Sequence, residues 1–474
     1  MKRPTLVGLF LVLGLLLASG RAQTEGDIDW PCLGRIQPRS AQQIEASNWS
    51  VGAETMDRDY TRYESWKSYL GPLGFKKARL QAGWAKTERQ EGVYDWAWLD
   101  AIIFDMVEQG VEPWMCLCYG NAIYADGGGT RLGAQIPQTT EALNAWERFV
   151  GTAVRRYGHV IDEWEVWNEP NHGKGNTPAI YANLLVRTAQ VIRREQPQAH
   201  ILAISLAGVD WQFADAVLKM LASQGQIELV DEVTYHPYAH NPDSSYEAVA
   251  KLRDVIDAYS KQIIIRQGEN GAPSERRRTK ALRNYDWTEL SQAKWALRRL
   301  LGDLGRDIPS SYFSIMDMKY PDEMNRKGLL HSRDDQTVAY AKPAYYALQN
   351  LAAVFDMTLA RMVDYDYHSD FRQSLSVFGY IHRLSRRQVV TIWLDGEVPS
   401  DDNKKTAVDL QLPMGRFQTP VYVDLRTGRV YEIPPKQWEQ QATGCRLRGI
   451  PCYDSPILIA ERNLIPIAPA SLGP

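Results

Sequence analysis

From about residue 49 onward, short apolar segments alternate with longer stretches of helical period, and this alternation restricts the fold more than any other feature of the chain. The candidate strands are Trp49 to Ala53, Lys77 to Gln81, Pro113 to Cys118, Glu163 to Asn168, Ile201 to Leu206, Glu232 to His236, Gln262 to Gln267 and Tyr312 to Asp317. Amphipathic helices lie between them. One carries Leu143, Trp146, Phe149, Val150, Ala153, Val154 and Tyr157 at spacings of three and four. Eight strands, each followed by a helix, predict a closed (β/α)8 TIM barrel. A doubly wound open sheet is the alternative, but it would bring a glycine-rich phosphate turn after the first strand, where Val51-Gly52-Ala53-Glu54 offers none.

At 474 residues the chain is long enough for this barrel and one smaller domain. After Ala344 to Val354 the period changes to that of strands: Ser374 to Ile381, Val389 to Leu394, Val421 to Leu425, Arg429 to Ile433 and Pro456 to Ala460, with a hairpin turn at Arg426-Thr427-Gly428. The expected organisation is therefore a leader over residues 1–22, a catalytic barrel over 23–354 and a C-terminal all-β sandwich over 355–474. The apolar sequence between Leu348 and Met357 leaves no flexible linker, so the β domain is expected to pack on the barrel as a scaffold.

The first 22 residues follow the plan of a secretory signal: Lys2-Arg3, an apolar run from Leu6 to Ala18, then small residues. An uncleaved anchor is the alternative, although the run is short for a membrane span. The chain is thus expected to be secreted, periplasmic or at the cell surface, with no stable membrane insertion once the leader is removed. Removal takes away three cations and no acid, moving the formal charge from −3 to −6, which gives no electrostatic case for nucleic acid. Of the five cysteines, Cys116 and Cys118 share one face of a strand and read as buried thiols. Cys445 and Cys452 bracket loop-like sequence and could form a local disulfide. No His, Cys or Asp spacing suggests a metal site, and no cofactor motif is present.

Two segments, WEVWNEPN (Trp164 to Asn171) and IIIRQGENG (Ile263 to Gly271), each deliver a glutamate where an apolar strand ends. Strand C-terminal ends are where parallel barrels build their sites, and two carboxyls facing one pocket are the equipment that acetal hydrolysis requires. Glu169 is expected to be the acid/base, with its pKa raised by burial and by the second carboxylate, and Glu269 the nucleophile. Arg79 at the end of strand two could keep Glu269 ionised, and Asn168 could offer its amide to a sugar hydroxyl. His236 and Tyr238, closing strand six, could hydrogen-bond Glu269 or a hydroxyl. Sugars stack on aromatic rings, and Trp84, Trp114, Tyr119, Tyr124, Trp211 and Tyr320 all lie at or after strand ends. Gly127-Gly128-Gly129 suggests flexibility after strand three.

With WNEPN on strand four and a glutamate ending strand seven, the barrel resembles clan A of the glycoside hydrolases. Thr234 to Tyr238 (TYHPY), Lys327 to Leu330 (KGLL), Lys342 to Leu348 (KPAYYAL) and Arg79 make it most similar to glycoside hydrolase family 39 and its relatives. The resemblance implies retaining hydrolysis through a covalent glycosyl-enzyme, with the carboxyls about 5 to 5.5 Å apart. The chain departs from the pattern in two places. Gly268 precedes Glu269 where Thr is usual, leaving Glu275 as a second register. Strand eight also ends Ile315-Met316-Asp317-Met318 where many clan members carry Trp, making Asp317 a candidate for substrate binding. The expectation is a retaining β-glycosidase acting on an extracellular oligo- or polysaccharide. A non-turning-over carbohydrate-binding protein and a transglycosylase are the alternatives.

Overall fold

The structure is a computed structural model that describes residues 28–469 apart from 174, 278 and 279; the expected leader lies outside the described residues. Eight parallel strands close into a barrel: Trp49–Gly52, Lys77–Gln81, Glu112–Leu117, Glu163–Val166, His200–Ala207, Glu232–His236, Ile264–Asn270 and Ser310–Tyr312. All eight candidate strands exist, in the expected order. The last begins and ends earlier than expected, so Asp317 lies beyond it in the connection. The barrel helices are Tyr63–Leu73, Ala97–Glu108, Thr140–Tyr157, Pro178–Glu195, Trp211–Ser223, Tyr246–Asp257, Glu289–Leu304 and Pro343–Val354.

Residues alternate between the faces of a strand, and the inward set here is unusually polar. At the N-terminal end of the barrel, Arg266 donates to Glu163 (2.8 Å) and Glu232 (3.1 Å), and Lys77 and His200 complete the pairs. Two residues further along the same strands, Arg79, Glu165 and Thr234 form a second polar layer. The buried Trp114 ring separates the layers, with the Arg266 guanidinium 5.1 Å and that of Arg79 5.4 Å from its centroid. Outward residues such as Trp164, Val166, Leu80 and Val233 are sealed against the helices.

The C-terminal part is a sandwich. An eight-stranded antiparallel sheet faces a three-stranded one made of Thr406–Leu412, Gly444–Cys452 and Trp438–Gln441. Val390, Ile392, Ile457 and Ile459 of the large sheet meet Val408, Leu410, Leu447 and Ile450 of the small one. The other face of the large sheet, with Val389, Trp393, Val421 and Leu458, joins the barrel core. Asn350 donates to the Leu425 carbonyl (2.9 Å), and buried Lys294 pairs with Asp454 (2.7 Å). This sheet is buried on both faces, which makes the β domain part of the scaffold.

Two expectations are corrected here. The strand Cys32–Ile36 pairs with Arg429–Glu432 and Ile467–Pro469 inside the large sheet, so residues 23–354 are not all barrel: within the described residues the chain passes through the sandwich before entering the first barrel strand. Cys445 and Cys452 are free thiols on a single strand that pairs with Leu412 and Thr406 respectively. Seven strand residues span roughly 23 Å, far beyond disulfide reach. The glycines that made the segment look like a loop sit at its start and at a bulge, where Gly444 and Gly449 take positive φ. Cys116 and Cys118 are buried side by side, their sulfurs 3.6 Å apart, as free thiols.

Candidate active site

Strand four ends in backbone strain that aims one side chain. Trp167 (φ 70°) and Glu169 (φ 48°) both take the left-handed conformation, costly for residues with a Cβ and concentrated at functional sites in general. The neighbouring strand fixes them: the Glu169 amide donates to the Ser205 carbonyl (2.9 Å), presented by a bulge at which Ile204 and Ser205 also have positive φ. Glu169 thereby points across the barrel mouth towards strand six, where the buried His236 bonds it through Nδ1 at 2.8 Å to Oε1.

Glu269 enters from strand seven. Arg79 Nη1 donates to its Oε2 (3.0 Å) and the Tyr238 hydroxyl to its Oε1 (2.8 Å). Gly268 explains the departure from Thr at this place: a Cβ there would lie 3.1 Å from that of Thr234 and 3.3 Å from His236 Nε2, displacing the imidazole. Glu275, the alternative register, pairs with Arg326 (3.2 Å) in the following loop. One atom each of Glu169, His236 and Glu269 lies within 4.8 Å of the others, and among the described residues no other group of acid, thiol and imidazole ligands is so compact. A cation could be held at that spacing, but the Arg79 guanidinium already lies against Glu269, and repulsion between the two positive charges favours two carboxyls poised for chemistry.

Arg79 is the hub. It is fully buried and donates to Glu165 (2.9 Å from Nε), Glu54 (2.8 Å), Glu269 and Asn168 Oδ1 (2.8 Å). Asn168 in turn donates to the Tyr119 hydroxyl (2.7 Å). Burial raises the Glu165 carboxyl, but the charge of Arg79 and the Thr234 hydroxyl bond outweigh it and hold the group below the usual range. Burial, then the charge of Glu269, pushes the Tyr238 phenol well above its ordinary value, so it remains an O–H donor.

For Glu169 the expected direction is reversed. Burial does push its carboxyl up, but the hydrogen bond and charge of His236 overcome this and hold it below the usual range. Burial lowers the imidazole in turn, and the charges of Glu269 and Glu169 more than compensate, leaving His236 raised. Both directions place the proton that the pair shares on the imidazole nitrogen.

Of the sequence candidates, Glu169, Glu269, Arg79, Asn168, His236 and Tyr238 converge here; Trp84 and Asp317 do not. Trp84 is fully buried between Tyr124, Trp146 and Phe149, and its indole N–H donates to Glu88 (2.5 Å), because its helix turns the ring outward into the barrel's helical shell. Asp317 is sealed behind strand eight, where it accepts from Lys342 (2.7 Å), Arg326 (3.1 Å) and the Gly328 amide (2.9 Å), leaving no oxygen for a substrate. Of the other aromatics, Trp114 fills the barrel and Tyr124 packs on Trp84. Tyr119 reaches the site, and Tyr320 meets Tyr60 at 5.1 Å. The Gly127 to Gly129 segment is a tight turn: Cβ atoms on Gly127 and Gly128 would each lie 2.2 Å from a backbone oxygen. Glu54, Glu165 and Gln81 were not anticipated. Glu165 carries a readable signal, an acid flanked by Trp164 and Val166 on a strand buried on both sides.

Trp84→Ala is therefore expected to cost about 3–5 kcal/mol of stability, read by denaturant unfolding. A ring that bound sugar would instead raise KM and leave stability nearly unchanged.

No protein-family model matches the chain, and no curated protein does. Solved structures do match. A family 39 glycoside hydrolase from Bacteroides cellulosilyticus WH2 is 18% identical, with TM-score 0.63 over 88% of this chain and 81% of its own. The fold is that of the family 39 glycoside hydrolases. A monomeric β-xylosidase from Caulobacter crescentus CB15 (16% identical, TM-score 0.59, 91% of this chain and 97% of its own) shares it. So does a family 30 subfamily 8 xylanase from Clostridium acetobutylicum (11%, 0.58, 90% and 97%).

Proposed function

We propose that the protein is a retaining β-glycoside hydrolase acting on an oligo- or polysaccharide, with Glu269 as nucleophile and Glu169 as acid/base. The observation that carries this reading is that one oxygen of each carboxyl and one His236 nitrogen lie within 4.8 Å of one another. Inverting chemistry needs about 6.5–9.5 Å to admit a water between them. Arg79 and Tyr238 hold Glu269 at both oxygens, which orients a nucleophile and later stabilises it as a leaving group. Family 39 and 30 enzymes share the barrel, which supports the reading by analogy of fold.

In the first step a Glu269 oxygen bonds the anomeric carbon while the glycosidic C–O bond breaks. The leaving oxygen takes the proton shared by Glu169 and His236. In the second, Glu169 removes a proton from water, the water oxygen bonds the anomeric carbon, and Glu269 leaves as a carboxylate. Asn168, fixed by Arg79 and Tyr119, has an amide hydrogen left for a hydroxyl beside the reacting carbon. Protein groups alone perform these steps. The apolar leader directs the chain out of the cytoplasm, where polymeric glycans are met, and among the described residues no helix is long and apolar enough to cross a membrane.

The test is purified residues 23–474 against a panel of β-linked glycans, with product analysis in the presence of an added acceptor sugar. Hydrolysis products support the reading, transfer products alone make the protein a transglycosylase, and binding without product makes it a lectin.

The proton pair also sets a pH dependence of stability. His236, raised when folded, contributes fully below its ordinary 6.5 and loses that contribution as pH rises through its higher folded value. Glu169, lowered when folded, contributes above its ordinary 4.5 and loses that contribution as pH falls through its lower folded value. The Tm difference between wild type and His236→Gln is therefore expected to be greatest between about pH 4.5 and 6.5 and to shrink on both sides. A flat difference would show that the two groups do not pair as charges.

A further inference from the structure

Glu54 is a third carboxyl in the site that the two-carboxyl mechanism does not use. It follows the first barrel strand, is 3% exposed, and its Oε1 accepts from the same Arg79 Nη1 that donates to Glu269, at 2.8 and 3.0 Å. Its other oxygen faces Gln81 Nε2 at a long 3.5 Å. Thr55, immediately after it, has φ 68°, so the backbone is strained where this acid is presented. One guanidinium nitrogen, through its two hydrogens, thus serves two carboxylates and holds them side by side, while Glu165 already draws on the same guanidinium from Nε and Nη2.

We propose that Glu54 is a positioning residue that exchanges ionisation with Glu269 through their shared Arg79 donor as the covalent intermediate forms and breaks. The proposal deepens the retaining-glycosidase reading and rests on it. The groups that face Glu54 are Arg79, Glu269 and His236, and the phenols of Tyr238 and Tyr320 feel its charge. Burial first, and the charge of Glu269 in addition, push its carboxyl up to about 7 against the opposing pull of Arg79, so Glu54 gains and loses its proton near neutrality.

Formation of the glycosyl ester removes the negative charge of Glu269. Arg79 then has a free donor, one of the two causes that kept Glu54 protonated is gone, and Glu54 gives its proton to solvent. Arg79 stays compensated. When water cleaves the ester, the charge returns to Glu269 and Glu54 takes a proton back from solvent. Ionised Glu54 therefore favours the ester and opposes its hydrolysis, because the returning charge must stand beside its own on the same Arg79 nitrogen.

The coupling can be read without knowing the sugar. Glu269→Gln mimics the uncharged ester, and 13C NMR of protein labelled at the glutamate carboxyl carbon follows Glu54, assigned by its loss in Glu54→Gln or its change in Glu54→Asp. The expected result is a proton affinity for Glu54 at least tenfold lower in Glu269→Gln than in wild type; an unchanged midpoint overturns the proposal. Kinetically, enzyme trapped with 2-deoxy-2-fluoro-β-D-xylosyl fluoride should reactivate more slowly as pH rises through neutrality. That slope should persist in Glu54→Asp and vanish in Glu54→Gln. An identical slope in Glu54→Gln would overturn the kinetic role. Absence of an adduct on the wild type with every member of a panel of 2-deoxy-2-fluoro-β-glycosyl fluorides would instead count against the covalent reading, with the NMR comparison still deciding whether Glu54 and Glu269 are coupled.

Discussion

Glu269→Ala is expected to lower kcat by on the order of 10⁴-fold or more, because under the proposed mechanism it removes the atom that forms the covalent bond, not merely one contact to the transition state. The loss should be chemical and not structural. Glu269 is held by Arg79 and Tyr238, and both keep other partners or surroundings when it goes: Arg79 retains Glu54, Glu165 and Asn168. Thermal stability should therefore stay within about 1–2 kcal/mol of wild type, since the variant removes a charge that competed for Arg79. Added azide should restore part of the turnover by attacking from the vacated side, giving a glycosyl azide of inverted configuration. Measured kcat within tenfold of wild type would remove Glu269 from the nucleophile role.

Arg79→Met should damage both folding and activity. The guanidinium compensates Glu54, Glu165 and Glu269 in a layer sealed below by Trp114, and without it buried carboxylates face one another. Removing one partner of a buried charge network costs about 3–5 kcal/mol. Activity should fall at least about 10²-fold at temperatures where the variant stays folded, since under the proposed mechanism Glu269 loses a donor that stabilises it as the leaving carboxylate. Combining Arg79→Met with Glu165→Gln should recover part of the stability and none of the activity, a split measured by denaturant unfolding beside steady-state kinetics. Full recovery of activity in the double variant would show that Arg79 only neutralises Glu165.

Much of this was legible from spacing. Eight apolar segments separated by amphipathic helices left a closed barrel as the consistent arrangement, and glutamates at the ends of strands four and seven placed two carboxyls on one rim. Position at or just after strand ends also put Arg79, His236 and Tyr238 on that side. The sandwich was harder to read, because three of its strands lie in polar or glycine-containing sequence, as Gly444–Cys452 illustrates, and the strand Cys32–Ile36 is supplied from the far end of the chain.

What the sequence by itself determined was therefore the class of fold and the two carboxyls that meet at the barrel mouth, since both follow from periodicity and from position along a strand. What only the tertiary structure decided was how charge is distributed among groups distant in the chain. Trp84 and Asp317 look like cleft residues until their partners Glu88, Lys342 and Arg326 are seen. Glu169 reads as a carboxyl with a raised pKa until His236 stands 2.8 Å away, and Glu54 reads as a loop acid until it shares one Arg79 nitrogen with Glu269. Strand periodicity is local, a property of residues two apart. Electrostatic compensation depends on which residues meet across the barrel, and strand closure alone brings Glu54, Arg79, Glu165 and Glu269 together.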